Sequence, residues 1–293
     1  MTDTSASASE RAPSRLAGLG GELRRIWPFL VIFGAFAFLA LAAPLVAPND
    51  PNSQNLLARL KPPGTTARGV FYALGTDDVG RDLTSRLIYG ARISLMVALL
   101  SVMVSTVIGT TLGMVAGFYR GPVEIVVMRL VDIVLSIPAI LLAIVTVAVL
   151  GPGLQNLILV LGFTRWPRYA RVAYGQTLSV SGMPFMRASR FVGARAPRLL
   201  MRHVLPNIAG AIIVVATLEF GLMVLFEAGL SFLGLGVQPP TPSWGSILSV
   251  GRNYMGTAWW VATLPGLCLF LLVLSINLIG DHLRDRLDPR SQR

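Results

Sequence analysis

Long uncharged runs, broken by short clusters of arginine, glycine and proline, organise this 293-residue chain. A helix of about 20 mostly apolar residues crosses a bilayer, and six stretches reach that length. The first, Ile26 to Ala47, carries no charge and follows Arg24 and Arg25. It is longer than the apolar core of a secretory leader, although the small residues at Ala43 and Ala47 leave a cleavage site as the competing reading. The second runs from Ile93 to Gly117 and the third from Met128 to Leu150, with Pro138 predicted to kink it because proline removes a backbone donor. Gly151, Pro152 and Gly153 break the chain before the fourth, Leu154 to Tyr174. The fifth covers Asn207 to Leu230 and the sixth Trp260 to Gly280, with Trp259 and Trp260 predicted as interfacial anchors. The pattern therefore predicts an all-α integral membrane protein with six transmembrane helices and an unstructured tail over 1–25.

Composition agrees with a bilayer: 54% of residues are hydrophobic, 13% are charged, and mean hydropathy is +0.67. The net charge of +11 suggests nucleic acid at first sight. Its 25 basic residues are instead interleaved with uncharged runs, which excludes a nucleic-acid partner in favour of the positive-inside bias of membrane proteins. Placing both termini in the cytoplasm puts 18 basic residues inside and 7 outside. Six of the seven fall between the first two spans, in a segment long enough to weaken their effect on topology. The single Cys268 allows no intrachain disulfide and reads as a small buried hydrophobe.

Several charges fall inside the spans. Arg165 lies near the predicted midplane and shares a helix face with Arg168 and Arg171, a basic stripe that would border a translocation path and attract carboxylates. The competing reading lets Arg168 and Arg171 simply reach the interface. Glu219 on the antiparallel fifth span falls at a similar depth, so pairing with Arg165 would offset two desolvation costs. Glu227 reads as a structural polar residue bonded to the turn from Leu230 to Gly236. Asp77, Asp78 and Asp82 lack calcium-loop spacing and read as a turn and helix cap ahead of Leu83, so no metal site is predicted. His203 reads as a polar interface residue, and no nucleophile, base or metal cluster forms a catalytic constellation. A phosphate-binding loop is missing, and Lys61 is the only lysine, so the chain is predicted to bind no cofactor itself.

The stretch Pro184 to Pro206, PFMRASRFVGARAPRLLMRHVLP, carries five arginines and no acid. Pro184 and Pro197 fit first-turn positions and Gly193 a left-handed helix stop, predicting a helical hairpin with Phe185, Ala188, Ser189 and Val192 on one narrow face. This stretch resembles the coupling loop of bacterial ABC importer permeases, with Arg187, Ala188, Ser189, Gly193, Leu205 and Pro206 in the motif positions. Arg187 stands where that motif has an acid, and Ser189 where it has a second alanine. LGTDDVGRDLTSRLIYGARISL from Leu74 to Leu95, EAGLSFLGLGVQPPTPSWG from Glu227 to Gly245, and the ending from Gly280 to Asp285, with Asp281 as a structural polar residue, resemble the C-type permeases of dipeptide, oligopeptide and nickel importers.

That resemblance implies a type I ABC importer permease fold. A core of five helices would span 93–281 and include the hairpin 184–206, an extra first helix and extracytoplasmic loop would fill 26–92, and a cytoplasmic tail 282–293. It implies a homologous permease as heterodimer partner, two ATP-binding subunits holding ATP and Mg, and an extracytoplasmic substrate-binding protein, all at a bacterial inner membrane. The chain would then be no enzyme but a conduit for di- or oligopeptides working by alternating access, with nickel chelates or glutathione as alternative cargo. A secondary transporter or channel would show inverted repeats with broken helices, and an intramembrane enzyme would need a nucleophile or metal cluster in its spans; the sequence displays neither.

Overall fold

Helices of very unequal length make up the computed structural model, which describes residues 15–287. Helix α1 (Arg15–Leu41) begins eleven residues ahead of the predicted first span, within the stretch read as a tail; 1–14 lie outside the described residues. The chain bends at Ala42, and the short α2 (Ala43–Val46) restarts with Pro44 in its first turn, where a missing N–H cannot extend the previous helix. The run predicted as one helix to Ala47 is thus two.

A short 3-10 turn (Leu56–Ala58) leads to β1 (Thr65–Ala67) and β2 (Val70–Tyr72), an antiparallel hairpin pairing Thr65 with Tyr72 and Ala67 with Val70. Arg68 and Gly69 have φ of +52° and +79°, the left-handed pair that a tight two-residue hairpin turn requires. The sequence pattern did not show these strands, because three residues are too few to display alternation.

Asp82 caps α3 (Leu83–Tyr119) by accepting the N–H groups of Thr84 and Ser85, so the helix starts ten residues before the predicted span. Next come α4 (Gly121–Ser136) and α5 (Ala139–Leu150), which meet at 91°. The predicted kink is therefore a full break. Ile137 is extended, as crowding by the following proline ring demands, and Pro138 has no N–H to restart the ladder. Helix α6 (Leu154–Ser181) is followed by α7 (Pro184–Phe191). Then α8 (Ala196–Leu199), a π-helical turn (Leu200–Val204) and α9 (Leu205–Phe232) run on as one apolar rod of 37 residues. The predicted hairpin is thus one free helix, α7, and the end of a long one. Helix α10 (Trp244–Gly251), a 3-10 turn (Arg252–Tyr254) and α11 (Trp260–Leu287) complete the described chain.

Among the described residues, three helices are long and apolar enough to cross a membrane: α3, the rod ending in α9, and α11; the bent α4–α5 pair would make a fourth. Helix α6 has the length but carries Arg165, Arg168 and Arg171.

The tightest packing lies between α3 and α6. Ser101, Ser105, Gly109, Gly113 and Gly117 recur every fourth residue, so they form one ridge without bulk. Ser101 and Ser105 donate across the seam to the carbonyls of Ile158 and Gly162, at 3.2 and 2.8 Å. A methyl group at Gly113 would fall 2.3 Å from the Ala170 carbonyl oxygen.

One end of the bundle is closed by residues 48–82, α10 and the start of α11, and is called the loop end below. Trp244 is fully buried there and donates from Nε1 to the Leu87 carbonyl at 2.9 Å, while its ring meets Phe36 edge-on. Trp260 is also buried and donates to the Thr76 carbonyl at 3.2 Å. It is a strut rather than the predicted interfacial anchor, because its indole N–H finds an internal acceptor; Trp259 remains exposed. Asp77 accepts the N–H groups of Val79 and Arg81 and ion-pairs with Arg81 and Arg86, and Asp82 also binds Asn49 and Ser85. These carboxylates form the predicted turn and cap.

Candidate functional site

At the opposite end lies helix α7, whose Arg187 and Arg190 are both exposed. Pro184 occupies its first turn, and Gly193, at φ +81°, ends it as a left-handed stop. The face expected to contact a partner is open: Phe185, Ala188 and Val192 are exposed, and Phe191 at the tip is 91% exposed. Arg187 is exposed too, and Ser189 is half-buried. What fixes the helix is Met186, fully buried with Val180, Leu199, Val204 and Ile208. The Arg190 guanidinium lies 4.8 Å from the centre of the Phe118 ring, tying α7 to the last turn of α3. His203 packs against Phe185 at 6.2 Å between ring centres, and its backbone carbonyl accepts from Asn207. Leu205 and Pro206 follow the π-helical turn Leu200–Val204 inside the rod, where the missing N–H of Pro206 leaves a carbonyl of the preceding turn without its helical donor. Asp281 lies exposed on α11.

A polar group occupies the middle of the bundle. Arg165 lies midway along α6 and Glu219 midway along α9. The guanidinium grips the carboxylate with two parallel bonds, Nε to Oε2 at 2.8 Å and Nη2 to Oε1 at 2.9 Å. Arg168, one turn on, adds a third bond from Nη1 to Oε1 at 3.0 Å. The Glu219 side chain is 3% exposed and that of Arg165 12%. Arg165 also lies 5.2 Å from the centre of the Phe226 ring. A carboxylate buried this deeply persists only because three donors replace its water. Arg171 pairs with Asp132 on α4, so each predicted member of the stripe has an acidic partner. Nearer the α7 end, Tyr174 bonds Glu124.

Glu227, two turns beyond Glu219 on α9, meets no cation among the described residues. Ser94 and Ser231 each donate a hydroxyl to it at 2.7 Å, and Ser231 in turn accepts the Val237 N–H at 3.2 Å. This chain of bonds ties α9 to α3 and to the turn from Leu230 to Gly236, where the sequence placed it.

Residues 109–293 match the protein family described as binding-protein-dependent transport system inner membrane component. The chain belongs to that family. It is 48% identical over 254 residues to the di/tripeptide transport system permease protein DppC of Pseudomonas aeruginosa (strain UCBPP-PA14), a match covering 86% of this chain and 84% of the relative. It is 47% identical to the dipeptide transport system permease protein DppC of Escherichia coli (strain K12), covering 86% and 85%. Its fold is similar to a chain of the MetNI methionine ABC transporter solved in inward-facing conformations, with a TM-score of 0.56, 24% identity, and coverage of 69% of this chain and 96% of that one.

As an inner membrane transport component, the chain carries two features that the reading of its sequence missed. Met186 was passed over because a lone methionine among arginines gives no periodic signal. The ridge from Ser101 to Gly117 was legible as a small residue at every fourth position, a recognised sign of close helix packing. The partnerships of Arg171 with Asp132 and of Tyr174 with Glu124 join residues 39 and 50 positions apart, which local spacing cannot reveal.

Proposed function

We propose that this chain is the permease subunit of an ABC importer that carries di- or oligopeptides across the bacterial cytoplasmic membrane by alternating access. The observation that carries the reading is the 48% identity, over most of both chains, to a di/tripeptide permease. In it, α1, α3, the broken α4–α5 pair, α6, α9 and α11 act as six spans, with both termini and α7 on the cytoplasmic side. The arginine excess at the α7 end supports that orientation. Around it assemble a homologous permease, two ATP-binding subunits that hold ATP and Mg, and an extracytoplasmic binding protein that delivers substrate.

Helix α7 is the coupling element in this reading. Its exposed face, Phe185, Ala188, Phe191 and Val192, seats in a groove of an ATP-binding subunit, and Arg187 meets that groove where an acid would otherwise stand. A push on α7 passes through Met186 into the base of the α9 rod and through Arg190 to α3. The first leads into the helix that carries Glu219, and the second into the helix packed along α6, which carries Arg165 and Arg168.

Reconstitution of the assembled importer in vesicles tests the proposal. Uptake of a labelled dipeptide should require ATP, Mg and the loaded binding protein together. Uptake without nucleotide, or ATP-driven uptake confined to nickel chelates, would refute it.

A further inference from the structure

The central charged group is covered on one side only. Arg165 and Glu219 are buried, but the Arg168 side chain is 56% exposed, and Arg171 and Asp132 next to it are 52% and 56% exposed. Arg168 lies midway along α6, about 20 Å from either end at about 1.5 Å per residue. A charge facing hydrocarbon at the centre of a span is disfavoured by at least about 2.5–3.5 kcal/mol, and this face presents three charges in succession. Lipid is therefore excluded as its surroundings. What covers it must be wet or polar.

The charge balance selects the ligand. Three arginines and two acids leave one positive charge, and the exposed residue at the centre of the group is Arg168. A guanidinium has five N–H donors; that of Arg168 gives one, from Nη1, to Glu219. Among the described residues its Nε and Nη2 donors make no hydrogen bond, and the Glu219 carboxylate already accepts two bonds from Arg165. Glu219 thus orients the Arg168 fork without quenching it, and a planar fork of this kind matches a carboxylate. Partial exposure keeps such a contact weak, as a site that must release its ligand on every cycle requires.

We propose that Arg168 lines a water-filled path at the face this chain turns to its partner permease, and that it takes the free carboxylate of the passing substrate. The inference rests on the peptide-import reading and adds a residue and a chemical group to it. Two measurements on the assembled importer in vesicles test it. In a Cys268→Ser background, Arg168→Cys should react with a membrane-impermeant cationic thiosulfonate many-fold faster than Val145→Cys, which replaces an exposed apolar residue of α5. Equally slow labelling at the two positions would overturn the aqueous path.

In the second measurement, a dipeptide and its C-terminal amide are each presented at concentrations that saturate the binding protein. The ratio of acid to amide uptake should fall about fivefold in Arg168→Gln, the effect of one partly screened charge contact, and should be largely kept in Arg168→Lys. An unchanged ratio, or an equal fall for both peptides, would overturn the carboxylate assignment and leave Arg168 a structural member of the ion group. Failure of the wild-type complex to take up either peptide on ATP addition would instead strike the import reading itself, while the labelling rates would still report whether the path is wet.

Discussion

Two carboxylates on one helix are treated in opposite ways. Glu219 and Glu227 are both buried in α9, two turns apart, yet the first is held by two guanidiniums and the second by two serine hydroxyls. The contrast extends to the regions around them. Toward the loop end the links are buried: Trp244 donates to Leu87 and Trp260 to Thr76, segments far apart in sequence, and the ion pairs of Asp77 with Arg81 and Arg86 are covered as well. Around Glu219 and on toward α7, the links are charged, and several of their members are half-exposed. Bonds between buried groups, neutral or charged, fix one arrangement, whereas ion groups open to water on one side can exchange partners. From this contrast the loop end is expected to act as a clamp, and the middle and α7 end as the part that changes.

The largest test of this division is to remove the centre of the ion group. Glu219→Ala leaves Arg165 buried without a counter-charge, which should cost about 3–5 kcal/mol. Unfolding of the detergent-solubilised assembly should show the loss, and a paired Arg165→Met, Glu219→Met variant should recover most of it. A loss below about 1 kcal/mol, the scale of exposed pairs, would mean that water already reaches the pair and that the two regions do not differ as described.

Gly193→Val comes next. Its φ of +81° penalises any branched side chain, and no atom lies within 4 Å of where its Cβ would be, so strain rather than collision is what the change adds. The penalty should be about 1–2 kcal/mol. Because it falls on the stop of α7, it should appear as ATP hydrolysis that no longer tracks peptide uptake, with the loop end undisturbed. Normal coupling in this variant would remove α7 from the moving part.

Trp244→Phe probes the clamp. It keeps most of the ring against Phe36 and deletes one hydrogen bond to the Leu87 carbonyl, a change worth about 1 kcal/mol. Thermal unfolding should register it while the ratio of hydrolysis to uptake stays as in the wild type. A shift in that ratio would show that the loop end takes part in the cycle.

How much of this was legible beforehand differs between the same two regions. The charged residues were found from the sequence because a charge inside an apolar run stands out whatever its partner, and depth counting placed Arg165 and Glu219 at one level without deciding whether they pair. The stop at Gly193 and the caps before Leu83 followed from single-residue backbone chemistry. The loop end was read less well. Trp260 was assigned to an interface because local context cannot tell an indole at a membrane surface from one whose N–H meets the carbonyl of Thr76, 184 residues earlier in the chain. The break at Pro138 was read as a kink for a similar reason: proline dictates that a helix is disturbed, and the packing around it decides whether the two halves stay collinear or turn through 91°.

The smallest predicted effect sharpens the comparison most directly. Glu227→Gln keeps size and an acceptor oxygen, and the Ser94 and Ser231 hydroxyls can rotate to accept from the new amide as readily as they donate to the acid. The cost should be about 0.6 kcal/mol, the usual worth of a hydrogen bond between membrane helices. The same exchange at Glu219 offers an NH2 group to two guanidiniums that can only donate, and strips the negative charge they surround. Glu219→Gln should therefore behave much like Glu219→Ala in unfolding experiments, and Glu227→Gln much like the wild type. Equal losses for the two glutamine variants would show that the carboxyl group of Glu227 is needed as much as that of Glu219, and that the bundle has one kind of buried acid rather than two.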